Sequence, residues 1–346
     1  PTTGESLGLL VEESGTNLLL QSENFSTTWG GPGTIDANAA VAPDGTLTAD
    51  TITTATNAVK SQISQSFAAG STLTVSVFAK KNVTNFLRLE VANSVNCWYN
   101  LDTGAVGTNT AGSGNVLFSA KSIQSYPNGW YRCILTLTTS TVTTVSVLIF
   151  ATTNDNQGTS GGESIHIWGA QLEAGSFATS YIPTTTATVT RAADVASITG
   201  SNFSSWYRQD EGTVFADSTP QSGTAFMGFN DGTTSNRIRL SHTGTTASIA
   251  VNVAGGVLQF SINSGANTFP INTRGKSALA MKAGDFALTG NGSSVATSTG
   301  LMPSLDRATI GTAIGVATPA TINGTIRRLC YWSQRLPDST LVNITT

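Results

Sequence analysis

The chain has 346 residues, of which 39% are hydrophobic and only 11% charged, with a formal net charge of −3. The length suits two domains and the apolar content suits real cores, but the charge is far below the roughly 25% of an ordinary soluble domain, so Thr, Ser, Asn and Gly must cover the surface. No basic run supports phosphate-backbone binding and no apolar stretch approaches the roughly 20 residues that span a bilayer, which argues against nucleic acid and membrane insertion as partners.

Taken in chain order, PTTGESLGLL has no basic segment followed by a signal-type apolar core, and the start at Pro1 leaves room for a missing N-terminal attachment region. Alternating apolar runs predict strands over 72–80, 86–92, 129–138, 142–151 and 163–173, separated by turn-forming LDTGAV, YPNGW and NDNQGTSGGE. The Pro- and Thr-rich stretch IPTTTATVTRAADV, over 182–195, reads as an extended linker. Strands follow again over 212–220, 225–230, 237–243, 248–256, 257–263, 276–284, 285–292, 308–313 and 324–334, and LPDSTLVNIT closes the chain as a brief helical turn with Asp338 or Ser339 as its cap. Short, evenly spaced, turn-bounded strands predict an all-β chain of two β-sandwich (jelly-roll) domains in tandem, over residues 1–186 and 187–346.

The chemistry-bearing residues are sparse. Cys97, Cys133 and Cys330 are an odd number with no paired spacing and read as thiols. His166 and His242 fall in different predicted domains, away from any zinc-like or triad spacing. Glu12-Glu13 and Asp210-Glu211 are adjacent acidic pairs; in strands they would point to opposite faces, so they read as solvated and not as the paired carboxyls of a glycosidase. No Walker lysine follows GGPGTI or GTSGGE, so these are turns.

Sugar recognition needs an aromatic face for the CH-rich side of the ring and planar polar groups for its hydroxyls. Trp29, Trp98, Tyr99, Tyr126, Trp206 and Tyr207 fall at predicted strand ends or turns and are the candidate stacking faces, while Trp130 and Trp168 lie within alternating strands and are expected in the core. Trp98 with Tyr99 is the leading pair, because adjacent strand residues face opposite ways and one leaves the core unless the sheet is covered on both sides. Arg237 and Arg239 alternate with Ile238 and Leu240, so both project from one strand face and could grip an acidic sugar; an ordinary solvated face is the other reading.

The segments GLLVEESGTNLLLQSENFSTTW, APDGTLTADTI, NGWYR and WGAQLEAGSFATSYIPTTTATVTRAAD together resemble the carbohydrate-binding-like jelly roll of phage tail and head fibre proteins, over residues 8–194. GTVFADSTP, NRIRL, ALAMKAGDFALTGNG and INGTIRRLCYWSQRLPDSTLVNIT resemble the concanavalin A-like, laminin G-type sandwich that often follows it. The resemblance implies a non-enzymatic virion protein, assembled in the host cytoplasm into a tail fibre or head spike. Its expected partners are host-cell surface polysaccharide, other virion proteins and further copies of itself. It also implies a structural calcium, for which Glu23 and Glu173 are the candidate ligands, with the Asx-rich loop 154–156 a second candidate more simply read as a turn. A purely structural fibre or capsid decoration is the alternative, and a polysaccharide-degrading enzyme a third.

Overall fold

Runs in which Val, Ile, Thr and aromatic residues alternate with small polar ones can hide one face and solvate the other, and pairing such runs antiparallel satisfies their backbones. The computed structural model of the chain describes residues 6–31, 33–54, 59–91, 94–221, 225–242, 247–265, 272–314 and 320–346. Their regular structure is almost entirely antiparallel strand, as expected, with the α-helices Ser201–Ser204 and Asp338–Thr345.

The chain divides into two compact units, one formed by Ser14–Ala192 and the other by Ser6–Glu13 together with Ala193–Thr346. The division falls after Ala192 rather than after residue 186, and the reason is backbone pairing. Val189–Arg191, inside the stretch read as a linker, pairs with Gly15–Asn17 and so belongs to the first unit. Leu9–Val11 pairs with Gly324–Ile326 of the second unit, whose core takes Val11. Gly311, at φ +70°, makes room for it: a Cβ there would come within 2.7 Å of the Val11 side chain.

In the first unit a seven-stranded sheet carries Val116–Tyr126, Trp130–Thr139, Thr72–Lys81, Glu163–Ala174, Ala49–Thr54 and Thr34–Ala40 in spatial sequence, with Gly112–Ser113 at its far edge. A five-stranded sheet runs Val59–Phe67, Thr143–Thr152, Phe86–Val91, Val95–Asn100, Ala105–Asn109. Leu73, Val75, Val77, Leu135, Ile165 and Ile167 from the larger sheet share one core with Leu87, Leu89, Tyr99, Val147 and Ile149 from the smaller. The larger sheet's other face is covered as well. Phe78, Trp130 and Trp168 form a satellite cluster there with Tyr126 and Tyr181 packed against it, so both tryptophans are buried as expected, but outside the main core.

In the second unit, Leu9–Val11, Gly324–Trp332, Glu211–Pro220, Gly275–Lys282, Phe286–Gly290 and Ala296–Ser298 form one six-stranded sheet. Ala196–Thr199, Arg307–Ile310, Ala225–Asn230, Arg237–His242, Ser248–Ala254 and Val257–Asn263 form the other. Val214, Leu279, Met281 and Leu288 meet Phe226, Phe229, Ile238, Leu240 and Ala250 in the core. The C-terminal helix lays Leu341 against Phe215, Ala278 and Ala280, closing the first sheet's outer side. It begins at Asp338 itself, with Pro337 at the cap position and no side-chain cap bond; Asp338 instead pairs with Arg335, which is why the predicted Asp or Ser cap is absent.

Candidate functional site

Trp98 and Tyr99, the leading stacking pair from the sequence, are both buried, at 4% and 0% exposure. They lie inside the strand Val95–Asn100, not at its end. Tyr99 points into the core and donates to the Ile134 carbonyl at 2.7 Å. Trp98 points the other way, but its indole N–H donates to the Gln157 carbonyl at 3.0 Å and Arg88 lies 5.9 Å from its ring. The loop before Glu163 therefore covers the face on which Trp98 lies, so neither member of the pair leaves the protein interior. Trp29 is likewise core, packed on Phe25 at 4.8 Å with its N–H shared between the Leu20 and Gln21 carbonyls. Tyr126 is half-buried, edge-on to Phe78.

Glu173 and Glu23, the candidate calcium ligands, are engaged by protein donors. Glu173 is buried and accepts from the Gln171 amide and from both the N–H and the hydroxyl of Thr179; Glu23 accepts from the Tyr181 hydroxyl at 3.1 Å. Burial pushes the Glu23 carboxyl up against the opposing Tyr181 hydrogen bond. Both carboxylates are thus held by protein donors, and no group of three or more His, Cys, Asp or Glu converges among the described residues. Asp155, in the second candidate loop, accepts instead from Thr108. Of the adjacent acidic pairs, Asp210 and Glu211 sit on Arg208, while Glu12 is buried rather than solvated.

Of the predicted aromatic residues, Tyr207 lines a cleft, and Trp206 packs in the ring cluster beside it. In NFSSWY, Phe203, Trp206 and Tyr207 recur at i, i+3 and i+4, so one short helical turn brings them to one side. Gly200, at φ +59° and ψ −140°, makes the sharp entry from strand to helix. Tyr207 stacks on Phe203 with centroids 4.5 Å apart and 25° between planes, and Trp206 stands edge-on to Phe203 and Tyr331 at 5.1 and 5.0 Å. Beside this cluster opens a cleft of about 410 Å³, within the usual range for a small-molecule site. Phe203 and Tyr207 line it with the hydroxyl-bearing Thr199 and Ser204, and Gln209, Asp306 and Arg307 contribute its other polar groups.

The polar groups of the cleft are preorganised. Gln209 is locked crosswise on Leu305, its amide N–H donating to the Leu305 carbonyl and its oxygen accepting the Leu305 N–H. Arg307 and Asp306 form an ion pair at 2.7 Å. The Tyr207 hydroxyl has no hydrogen-bond partner among the described residues although the residue is only 8% exposed. Burial pushes its ionisation far up, so it is a neutral phenol, able to donate and to accept. An orphaned buried hydroxyl costs about 1–3 kcal/mol unless something pairs with it. The cleft combines ring carbon, hydroxyls and planar charged groups, with one carboxylate and no histidine in its lining.

Arg237 and Arg239 lie elsewhere on the same sheet, side by side on its outer face and half-buried, as their alternation with the buried Ile238 and Leu240 requires.

No protein-family model matches this chain, and no curated protein sequence matches it. Among solved structures it is similar to the Ruminococcus gnavus IT-sialidase CBM40 bound to α2,3-sialyllactose, at 16% identity and a TM-score of 0.35, over 40% of this chain and 83% of that one. It is similar to domains LG4-5 of the mouse laminin α1 chain, at 11% identity and a TM-score of 0.30, over 97% and 92% of the two chains. The chicken liver agglutinin CG-16 matches at 7% identity and a TM-score of 0.27, over 40% of this chain and all of that one. At such identities the likeness concerns fold alone.

Proposed function

We propose that this chain binds saccharides without cleaving them, and that it does so as the receptor-binding part of a virion fibre or spike directed at host-cell surface polysaccharide. The observation that carries the binding reading is Tyr207, a residue of the cleft lining whose hydroxyl is buried without a partner among the described residues. A sugar hydroxyl would complete it, while the ring carbon of the lining stands toward the CH face of the pyranose and the Arg307–Asp306 pair takes neighbouring hydroxyls. The cleft's single carboxylate supports binding over hydrolysis, since glycoside hydrolysis ordinarily needs two. The virion reading is supported by the order of the sequence segments that resemble fibre proteins. Several copies on one appendage would multiply a modest affinity by roughly 10² to 10⁴.

The test is a glycan array with the multimerised chain, repeated with Tyr207→Phe and Arg307→Ala. Selective binding that both variants weaken supports the assignment; binding that neither variant alters places the ligand elsewhere. Release of reducing ends or unsaturated products from capsule or lipopolysaccharide would overturn the non-catalytic reading.

A further inference from the structure

The second unit contains a cationic pair with no anion of its own. Arg208, Arg274 and Arg307 lie on Asp210, Asp217 and Asp306, and Arg335 lies on Asp285 and Asp338. Arg237 and Arg239 form no ion pair among the described residues, and the Nε atom of each is buried without a hydrogen-bond partner. Arg237 donates to the Thr234 carbonyl through Nη1, whereas no hydrogen bond is formed by the Arg239 side chain among the described residues. The nearby Asp231 is spent on Thr233 and Asn236. The stretches 222–224, 243–246, 266–271 and 315–319 of this unit, outside the described residues, contain no Asp or Glu.

The sheet register gives the surroundings. Arg239 stands opposite Gly228 on one side and Val251 on the other, with Thr309 beyond Gly228 and Ser261 beyond Val251. Arg237 stands opposite Asn230 and Val253, with Arg307 beyond Asn230. None of these neighbours is acidic. Gly228 contributes only backbone beside Arg239, and a Cβ there would come within 2.9 Å of the Thr309 hydroxyl, so the floor is kept low by the lack of a side chain. Two strand residues at i and i+2 lie about 6.6–7 Å apart at their Cα atoms, close enough for two guanidinium forks to converge on one group. Burial, and then the charge of Arg237, push the Arg239 guanidinium down from its ordinary value, the sign of a cation held without compensation.

We propose that Arg237 and Arg239 form an oxyanion-binding site on the outer face of this sheet, taking the carboxylate or sulfate ester of an acidic saccharide. The site rests on the saccharide-binding reading only for the body of its ligand, since the anion requirement follows from the arginines themselves. Neither arginine lines the Tyr207 cleft, whose own Arg307 stands two strands away from Arg237. The planar, five-donor fork of arginine suits a carboxylate or sulfate bidentately, where a lysine would act only as a point charge.

The test titrates the whole chain by calorimetry with four probes: inorganic sulfate, a glucuronate-containing oligosaccharide, a sulfated oligosaccharide and a neutral oligosaccharide of equal length. At least one acidic oligosaccharide is expected to bind tenfold or more tighter than the neutral one, with affinity falling as salt rises, and the two acidic arms separate carboxylate from sulfate. Arg239→Met should remove that preference while keeping or raising the melting temperature, because it replaces an uncompensated cation by apolar volume; Arg239→Lys should restore it only in part. Tyr207→Phe should leave the acidic preference intact. If the acidic and neutral oligosaccharides bind alike, or if Arg239→Met retains the preference, the site is wrong. Loss of all neutral-saccharide binding with sulfate binding preserved would instead overturn the cleft reading and leave this one standing.

Discussion

Tyr207 and Trp98 show how the same residue class divides between contact and core. Removing the Tyr207 hydroxyl takes away a group that has no partner in the free protein, so Tyr207→Phe should melt at the wild-type temperature or slightly above it while saccharide binding weakens. Thermal melting beside glycan binding checks this, and a drop in melting temperature would mean that the hydroxyl is paired. Trp98→Ala and Tyr99→Ala should each cost about 3–5 kcal/mol, as large aromatics removed from a packed interior do, and urea unfolding measures it. Thiol chemistry follows the same burial pattern. Burial pushes the Cys97 thiol up to about 12, and Cys133 well up too, while Cys330 is only half-buried. Iodoacetamide at pH 8 should therefore modify Cys330 first, and mass spectrometry of the peptides reads the order.

At the scale of elements, the loop before Glu163 decides whether Trp98 meets solvent, and Glu163 holds that loop. Burial works to raise its carboxyl, but the Ser160 and Gly161 N–H groups and the Thr54 hydroxyl outweigh this and keep it below its ordinary value. A carboxyl depressed in the folded state stabilises the fold above its unfolded pKa, near 4.3, and that contribution is lost as pH falls through the folded value. Glu163→Gln should accordingly lower the melting temperature at pH 7, and the difference from wild type should shrink toward pH 3. A constant difference would show that the charge is not what holds the loop. The strand Thr72–Lys81 was readable because its alternation survives, with Leu73, Val75 and Val77 facing the main core. Val95–Asn100 was not, because Cys97, Trp98 and Tyr99 are consecutive apolar residues, all buried, and leave no alternation of apolar and polar residues to read.

For the whole molecule, the crossing of Ser6–Glu13 into the second unit has a measurable consequence. A fragment of residues 193–346 lacks Val11, whose burial contributes about 1.5–3 kcal/mol. It should melt roughly 3–10 °C below the same fragment with Ser6–Glu13 restored by a flexible linker, and calorimetry would compare the two. Equal melting temperatures would mean that this strand adds nothing. The sequence by itself determined what is local: all-β structure from strand alternation, the turns from their Asn and Gly residues, and the shared face of Arg237 and Arg239 from a spacing of two. Only the tertiary structure decided which aromatics are accessible, which segment belongs to which unit and which polar groups lack partners. Accessibility depends on what folds over a side chain from far away in sequence, as residues around 157 do over Trp98 and Val11 does beside Gly311. No local pattern encodes those long-range contacts.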